Sequence, residues 1–317
     1  MEEKKDDYNK NEISKKNILS NNFDIKEKKY PILELKLHHE ERVTCLILLK
    51  DGRMTSGSND NSIIIYNKIS YKPDLIIKEH SNSVNCLLEL SSGILASCSD
   101  EIILFKIYGN YYDILQILDY SQRYIIKIIK LKNTQLVSCS YDYDKSIIIF
   151  SKENNEYKMD YSIGTGCACC SVIETKNNEI CYSYNDGNWK YNICFYDLLR
   201  RKKIKTIFDI KGTELFMIKE DLLLVGGDII SLININTHNQ IRSIDHHGGL
   251  INIICKLNEN MILIGHGSSI TQCKIEGDNL IILSDKEQDH YNDVWSLLNI
   301  PNNHFASGYQ NGIIKIW

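Results

Sequence analysis

The sequence predicts an all-β chain in which one four-stranded unit recurs seven times around a ring. Three observations support this fold class. They are a repeated strand pattern, the regular spacing of its copies, and a single N-terminal strand that can complete the three-stranded last copy. The small-residue strand recurs as MTSGS, LASCS, LVSCS, ICYSY, LLVGG, ILIGH and FASGY, beginning at residues 54, 95, 136, 180, 223, 262 and 305. The successive intervals of 41, 41, 44, 43, 39 and 43 residues match the length of one β-propeller blade.

The first copy, His39 to Tyr66, defines the order of elements in each repeat. A polar loop precedes an apolar strand, a Lys-Asp-Gly turn, the small-residue strand, a polar turn and an Ile-rich strand. In five copies an apolar residue stands eleven positions before the small-residue strand: Val43, Val84, Ile125, Ile251 and Val294. A histidine stands four residues earlier in four copies: His39, His80, His247 and His290. The fourth and fifth copies depart from this spacing.

A ring explains how such sheets become stable. Each sheet is apolar on both faces, so it needs a neighbour on each side, and a closed ring provides two neighbours for every blade. The last copy stops at Trp317, its third strand, whereas Ile32 to Leu37 alternates in period two before the first histidine. We therefore expect residues 30–317 to form a seven-bladed ring that this N-terminal strand closes. Residues 1–29 are charged and poor in apolar residues, and this composition predicts a disordered tail. The alternative is a helix that binds a partner.

Composition narrows the classes of partner. The net charge of −4, from 37 basic and 41 acidic residues, gives no basic footprint for nucleic acid. The absence of a run of about 18 apolar residues predicts no integral membrane segment. The charged N-terminus lacks the apolar stretch of a signal peptide, so we expect a cytoplasmic protein, with the nucleus left open. Eleven cysteines without such a signal predict reduced thiols.

The histidine-to-valine spacing, the SGS-type strand, the turn aspartates and the terminal aromatic together resemble the WD-repeat family. The resemblance covers residues 32–317, although no copy has all four of the family's His, Ser or Thr, Trp and Asp residues. In that family these side chains form a hydrogen-bonded group inside each blade. The resemblance implies this structural role for His39, Ser56, Asp60, His80, Asp100, His247, His290 and Ser307.

Two other motifs have competing interpretations. The Cys167 to Cys170 spacing could bind zinc or support redox chemistry. We align Cys170 with Cys45 and Cys86 in the repeat, which favours core packing instead. Leu199 to Lys202 is similar to the basic motif of phosphoinositide-binding propellers, but its position favours an ordinary solvated turn. Catalytic signatures are absent, and we expect neither a cofactor nor a bound metal.

The turns between the second and third strands vary most among the copies. Those of copies three and four, Tyr141 to Ser146 and Asn185 to Tyr191, carry exposed aromatic residues on the end that also bears the histidine loops. Exposed aromatics beside arginine are typical of binding hot spots, although these rings could instead pack on their own loops. We call this end the top rim, and its candidate binding residues are Arg42, Asn82, Arg123, Tyr124, Tyr141, Tyr143, Trp189, Tyr191, Tyr291 and Asp293.

These observations favour a noncatalytic scaffold or adaptor that binds a peptide or protein segment on the top rim. We expect a monomer within a larger complex, such as a substrate-receptor or signalling assembly. The alternative is a propeller enzyme of the hydrolase or lactonase type with a metal in the central channel. That enzyme would need carboxylate, Asn or His side chains converging on the axis, where the inner strands are mostly apolar.

Overall fold

The chain forms a ring of seven antiparallel four-stranded sheets, so the predicted seven-bladed β-propeller is confirmed. The computed structural model describes residues 31–35, 38–120, 122–176, 178–186, 190–210, 212–286 and 292–317. Within these ranges there are 28 strands and no helix. Consequently, no helix in this part of the chain could cross a membrane. The predicted tail, residues 1–29, lies outside the described residues and its disorder stays a prediction.

The strands follow one another from the channel to the outside of each blade. Blades one and two contain β2 (Val43–Leu48), β3 (Met54–Ser58), β4 (Ile63–Tyr66), β5 (Pro73–Ile77), then β6 (Cys86–Ser91), β7 (Ile94–Cys98), β8 (Ile102–Tyr108) and β9 (Tyr111–Leu118). Blades three and four contain β10 (Ile125–Lys130), β11 (Leu136–Ser140), β12 (Ile147–Glu153), β13 (Glu156–Ile163), then β14 (Cys169–Lys176), β15 (Glu179–Asn185), β16 (Tyr191–Asp197) and β17 (Lys202–Ile207). Blades five and six contain β18 (Glu214–Lys219), β19 (Leu222–Gly226), β20 (Ile229–Asn234), β21 (Asn239–Asp245), then β22 (Ile251–Asn258), β23 (Met261–His266), β24 (Ser269–Glu276) and β25 (Asn279–Lys286).

Blade seven joins the two ends of the chain. It combines β26 (Val294–Ile300), β27 (His304–Tyr309) and β28 (Ile314–Ile316) with β1 (Leu33–Leu35), which pairs antiparallel with β28. The Ile32 amide also donates to the Ile316 carbonyl over 2.7 Å. Ring closure by the N-terminal strand is therefore confirmed, although residues 36 and 37 of the predicted strand lie outside the described residues.

The core lies between blades rather than at the centre of the ring. Seven hydrophobic clusters of described residues each join two neighbouring blades, including the seam between blades seven and one. Second strands such as β3 are buried along their whole length because neighbouring blades cover both faces. This arrangement explains why the small-residue strand repeats so clearly.

Close packing between blades requires glycine at two positions of the second strands. A Cβ added to Gly308 in blade seven would lie 2.6 Å from Val43 Cγ1 in blade one. A Cβ added to Gly57 would likewise lie 2.7 Å from Val84 Cγ1 in blade two. Both distances are shorter than real carbon contacts, so at these two positions the second strand of one blade lies too close to the first strand of the next blade for a side chain.

The inner strands share a bulge that our cysteine alignment missed. In blade one the bulge leaves Thr44 unpaired and sets Cys45 opposite Gly57. In blade four Cys170 is the unpaired residue, and Ser171 lies opposite Ser183. The alignment of Cys170 with Cys45 is therefore wrong by one position: Cys170 is equivalent to the bulged Thr44, and Ser171 is equivalent to Cys45.

Candidate functional site

Blade one contains a buried hydrogen-bonded group of the kind that the family resemblance implies. His39 Nδ1 lies 2.9 Å from Asp60 Oδ2, and His39 Nε2 lies 2.6 Å from Ser56 Oγ. The Tyr66 hydroxyl lies 3.2 Å from the same Ser56 oxygen. The tyrosine thus occupies the place of the family's tryptophan, and the group links the loop before the blade to three of its elements.

The aspartate of this group is held in its charged form. Burial by itself raises the pKa of Asp60, but hydrogen bonds from His39 and Ser62 lower it by more. The Glu40 amide donates to the same carboxylate over 3.0 Å. The pKa of Asp60 in the folded protein therefore lies well below its ordinary value. The carboxylate is consequently ionised at neutral pH.

Blade two uses glutamate where aspartate was expected. His80 Nε2 lies 2.6 Å from Ser97 Oγ, but His80 Nδ1 bonds to Glu101 Oε1 at 2.5 Å. Asp100 instead accepts the backbone amide of Tyr124 at 2.9 Å and the side-chain amide of Asn82 at 3.2 Å. The expectation that Asp100 would serve His80 is therefore wrong, because Glu101 follows His80 by 21 residues, as Asp60 follows His39, and so occupies the equivalent position.

A glutamine replaces the histidine in blade three. Gln122 Oε1 accepts a hydrogen bond from Ser138 Oγ at 2.7 Å, and its amide donates to the Lys145 carbonyl at 2.7 Å. The sequence pattern missed Gln122 because it lies three residues before Ile125 rather than four. The equivalent serine at Ser138, in register with Ser56, was the available signal.

The histidine assignment in blade six is also wrong. His247 is exposed, has a positive φ of 55° and lies 3.1 Å from Asp245 on the surface. Its neighbour His246 is buried and bonds the Gly227 carbonyl over 3.0 Å. The left-handed backbone at His247 turns its side chain outward, so His246 faces the interior.

In blade seven the serine and the tryptophan of the expected group meet. The Trp317 indole donates to Ser307 Oγ over 2.8 Å, and both residues are buried. His290, the expected third member, lies outside the described residues, and its role stays a prediction.

The inner strands surround a channel whose top end opens into a cavity of about 450 Å³. Residues from all seven inner strands line it. One layer of the inner strands contains equivalent positions, each two residues after the first position of the inner-strand pattern: Cys45, Cys86, Lys127, Ser171, Glu214, Ile253 and Ser296. Six of these seven line the cavity, and Ser171 bonds to Lys127 beside it. No motif in the sequence marks this layer, although the repeat register places its members at equivalent positions.

Three polar members of that layer bind one another across blades three to five. Lys127 Nζ donates to Ser171 Oγ at 2.9 Å and to Glu214 Oε1 at 3.0 Å. Burial alone lowers the pKa of Lys127, but the Glu214 carboxylate raises it by more, so its net pKa lies above the ordinary value. Lys127 consequently stays charged, and its ion pair with Glu214 offsets that charge within the cavity.

Two tyrosines on the top rim stack beside this cavity. Tyr124 and Tyr141 have ring centroids 5.3 Å apart and planes only 4° from parallel. They are 38% and 47% exposed, so each ring keeps a large accessible surface. Tyr124 also has a positive φ of 51°, which is uncommon for a bulky residue. The Asp100 carboxylate holds the Tyr124 amide in place, and such strained residues often occur at binding sites.

A second aromatic contact lies on the opposite side of the cavity, between blades one and seven. The Arg42 guanidinium lies 3.7 Å from the centroid of the Trp295 ring, and Arg42 Nε donates to Gln310 Oε1 over 2.7 Å. Arg42 was a candidate from the sequence, whereas Trp295 and Gln310 were not. Only the curvature of the ring brings residues separated by more than 250 positions together.

The other candidates are dispersed over the top rim. Tyr191 lines the cavity with Tyr124 and Tyr141. Exposed side chains are found at Asn82, Arg123, Tyr143 and Asp293. Trp189 and Tyr291 lie outside the described residues, so their positions stay predictions.

The cysteine motif and the basic motif both consist of residues whose contacts belong to the fold. All eleven cysteines are free thiols, and burial raises the pKa of Cys170 to about 12. Arg201 on the opposite end pairs with Asp160 at 3.0 Å and lies over the Tyr161 ring, while Arg200 lies 3.5 Å from Asp197. Among the described residues, no cluster of three His, Cys, Asp or Glu side chains could hold a metal ion.

A larger cleft of about 830 Å³ lies on that opposite end, between blades one and two. Its Arg53 side chain is already bonded to Asp51 and to the Gly109 carbonyl. The top cavity, by contrast, combines exposed stacked rings with contributions from every blade. It is therefore the stronger candidate for a binding site.

Comparison with known families supports the repeat assignment. Residues 29–67 and 286–317 match the family model described as WD domain, G-beta repeat. These segments contain β1 to β4 and β26 to β28, so they meet at the seam of the ring. No curated protein matches the chain.

Proposed function

Since the repeats and the seven-bladed ring make this chain a member of the WD-repeat family, we propose that it is a noncatalytic scaffold or adaptor. It binds a peptide or protein segment on its top rim and acts as a monomer within a larger complex. Loops held on a rigid scaffold commonly carry binding specificity, and the fold supplies loops from seven blades.

The observation that carries this proposal is the stacked Tyr124 and Tyr141 pair at the mouth of the channel cavity. Rigid aromatic rings bury much surface on binding while losing little conformational freedom. The 450 Å³ cavity lies within the range typical of small ligand sites, so it can accept one or two side chains of a bound segment. Arg123 and Trp189 are further anchors in this proposal, and Tyr143, Asn82 and Asp293 belong to its outer contacts.

Quantitative affinity capture with the full chain tests this function. Partners retained by the wild type are identified, and their binding is then measured against Tyr124→Ala. We expect about thirtyfold weaker binding, because removal of an aromatic anchor commonly costs about 2 kcal/mol. Arg200→Ala, on the opposite end, is the control and retains wild-type binding. Equal binding by Tyr124→Ala would contradict the proposed surface, as would loss of binding in Arg200→Ala alone.

A further inference from the structure

The charge of the channel cavity identifies the chemistry of its occupant. Only three charged side chains are among its described lining residues: Arg42, Lys127 and Glu214. Lys127 and Glu214 form an ion pair with each other at 3.0 Å. Arg42 forms no ion pair within the described residues, so the cavity retains one uncompensated positive charge.

The Arg42 side chain is already ordered for binding. Trp295 covers one face of its guanidinium, and Gln310 accepts the hydrogen bond from Nε. The backbone carbonyl of Arg42 accepts the Asn59 amide over 2.9 Å, which fixes the main chain at the same point. The terminal nitrogens remain available as a planar pair of donors, a geometry that matches a carboxylate. Because the side chain is fixed in advance, binding loses little rotational entropy.

Trp295 departs from the use that other blades make of its position. In blade two the equivalent Asn85 side chain donates to the Ile125 carbonyl of the next blade over 2.8 Å, and in blade six Asn252 donates to the Val294 carbonyl over 3.0 Å. The Trp295 indole N–H is buried and has no hydrogen-bond partner among the residues that the structure describes. A buried donor without an acceptor is destabilising, and Trp295 lacks the side-chain hydrogen bond to a neighbouring blade that Asn85 and Asn252 make within the described residues. Its contact with Arg42 gives it a different role.

We propose that the cavity binds an acidic side chain, Asp or Glu, of the partner segment, with its carboxylate on the terminal nitrogens of Arg42. Asn59 also lines the cavity on this side and has no side-chain hydrogen bond among the described residues, so its amide is a second donor. Tyr124, Tyr141 and Tyr191 line the other side and suit an apolar or aromatic neighbour of the acidic residue. This inference rests on the proposed function and specifies the segment that the top rim binds.

A peptide array with matched pairs tests the inference. Each pair of twelve-residue peptides differs only by Glu against Gln, or Asp against Asn, at one position, with apolar residues varied on either side. Further members carry phosphoserine at that position or a free carboxylate only at the C-terminus. The full chain is applied as wild type, Arg42→Gln, Arg42→Lys and, as a charge-matched control, Arg200→Gln.

We expect wild type and Arg200→Gln to retain acidic members about tenfold more strongly than their amide partners. Arg42→Gln loses this preference while still retaining peptides through the tyrosines. Arg42→Lys keeps part of the preference, because lysine preserves the positive charge but not the paired donors. A melting curve verifies that each variant is folded. Equal retention of acidic and amide peptides by the wild type overturns the inference alone. Retention only of phosphoserine or C-terminal carboxylate members also overturns it, and retention of no peptide overturns the proposed function as well.

Discussion

The hydrogen-bonded group of blade one and the channel mouth use polar side chains in opposite ways. His39, Ser56 and Asp60 are bonded to one another, and the histidine and serine are buried. At the mouth, Tyr124 is exposed in a strained backbone conformation, and Arg42 has unused donors. Polar residues that serve the fold satisfy each other within one blade, whereas those available for a partner leave surface and hydrogen-bonding capacity free.

The largest expected effect concerns the fold side of this comparison. Deletion of residues 1–37 removes β1, exposes the edge of β28 and uncovers the cluster that contains Leu35. We expect aggregation and a melting temperature lower by many degrees, because blade seven loses its outer strand and the ring is no longer closed. Deletion of residues 1–29 is the matched control and leaves a cooperatively melting domain. Equal calorimetric melting of the two truncated proteins would refute this explanation of closure.

Removal of one hydroxyl from blade one has the next largest effect. Ser56→Ala leaves the His39 Nε2 and Tyr66 hydroxyl atoms buried without their common partner. We expect the free energy of unfolding to fall by about 1–3 kcal/mol, measured by urea denaturation. Ser92→Ala changes the same atoms in an exposed turn and is the control, with an expected change within about 0.5 kcal/mol. A Ser56→Ala protein as stable as Ser92→Ala would mean that the group does not stabilise the blade.

The pH dependence of stability gives a smaller test of the same group. Because the pKa of Asp60 is lower in the folded protein, its stabilisation is complete above its unfolded value of about 3.9. That stabilisation is lost as the pH falls through the folded value. In urea midpoints measured from pH 7 down to about pH 2, Asp60→Asn should be less stable at pH 7 and lose less stability on acidification. Parallel curves for the two proteins would exclude this contribution.

The repeated strands could be predicted because burial between blades imposes one pattern on every copy. Ring closure also followed from the pattern, since Leu33 and Leu35 had no partner near them in sequence. The polar groups were harder to predict. Glu101, the equivalent of Asp60, binds His80 in place of the expected Asp100, and His246 is buried in place of His247 beside one left-handed residue. Such local changes leave the apolar pattern intact, so periodicity does not detect them.

The channel mouth could be predicted only in part. The sequence shows its tyrosines as aromatic residues in variable loops and turns. It also shows Arg42 as a charged residue beside an inner strand. The contact between Arg42 and Trp295 joins the first blade to the last, and the ion pair of Lys127 with Glu214 crosses blade four. Both depend on the ring geometry and on the bulge register, which single-blade patterns do not specify.

The most direct test compares Ser56→Ala with Tyr141→Ala in both stability and binding. The probe is the partner segment that wild type retains, and its affinity is measured by calorimetry at 25 °C beside each melting curve. We expect Tyr141→Ala to bind about thirtyfold more weakly with a nearly unchanged melting temperature. Ser56→Ala should melt at a lower temperature and bind with wild-type affinity. The reverse pattern, in which Tyr141→Ala destabilises the fold and keeps its affinity, would contradict the division between the two regions.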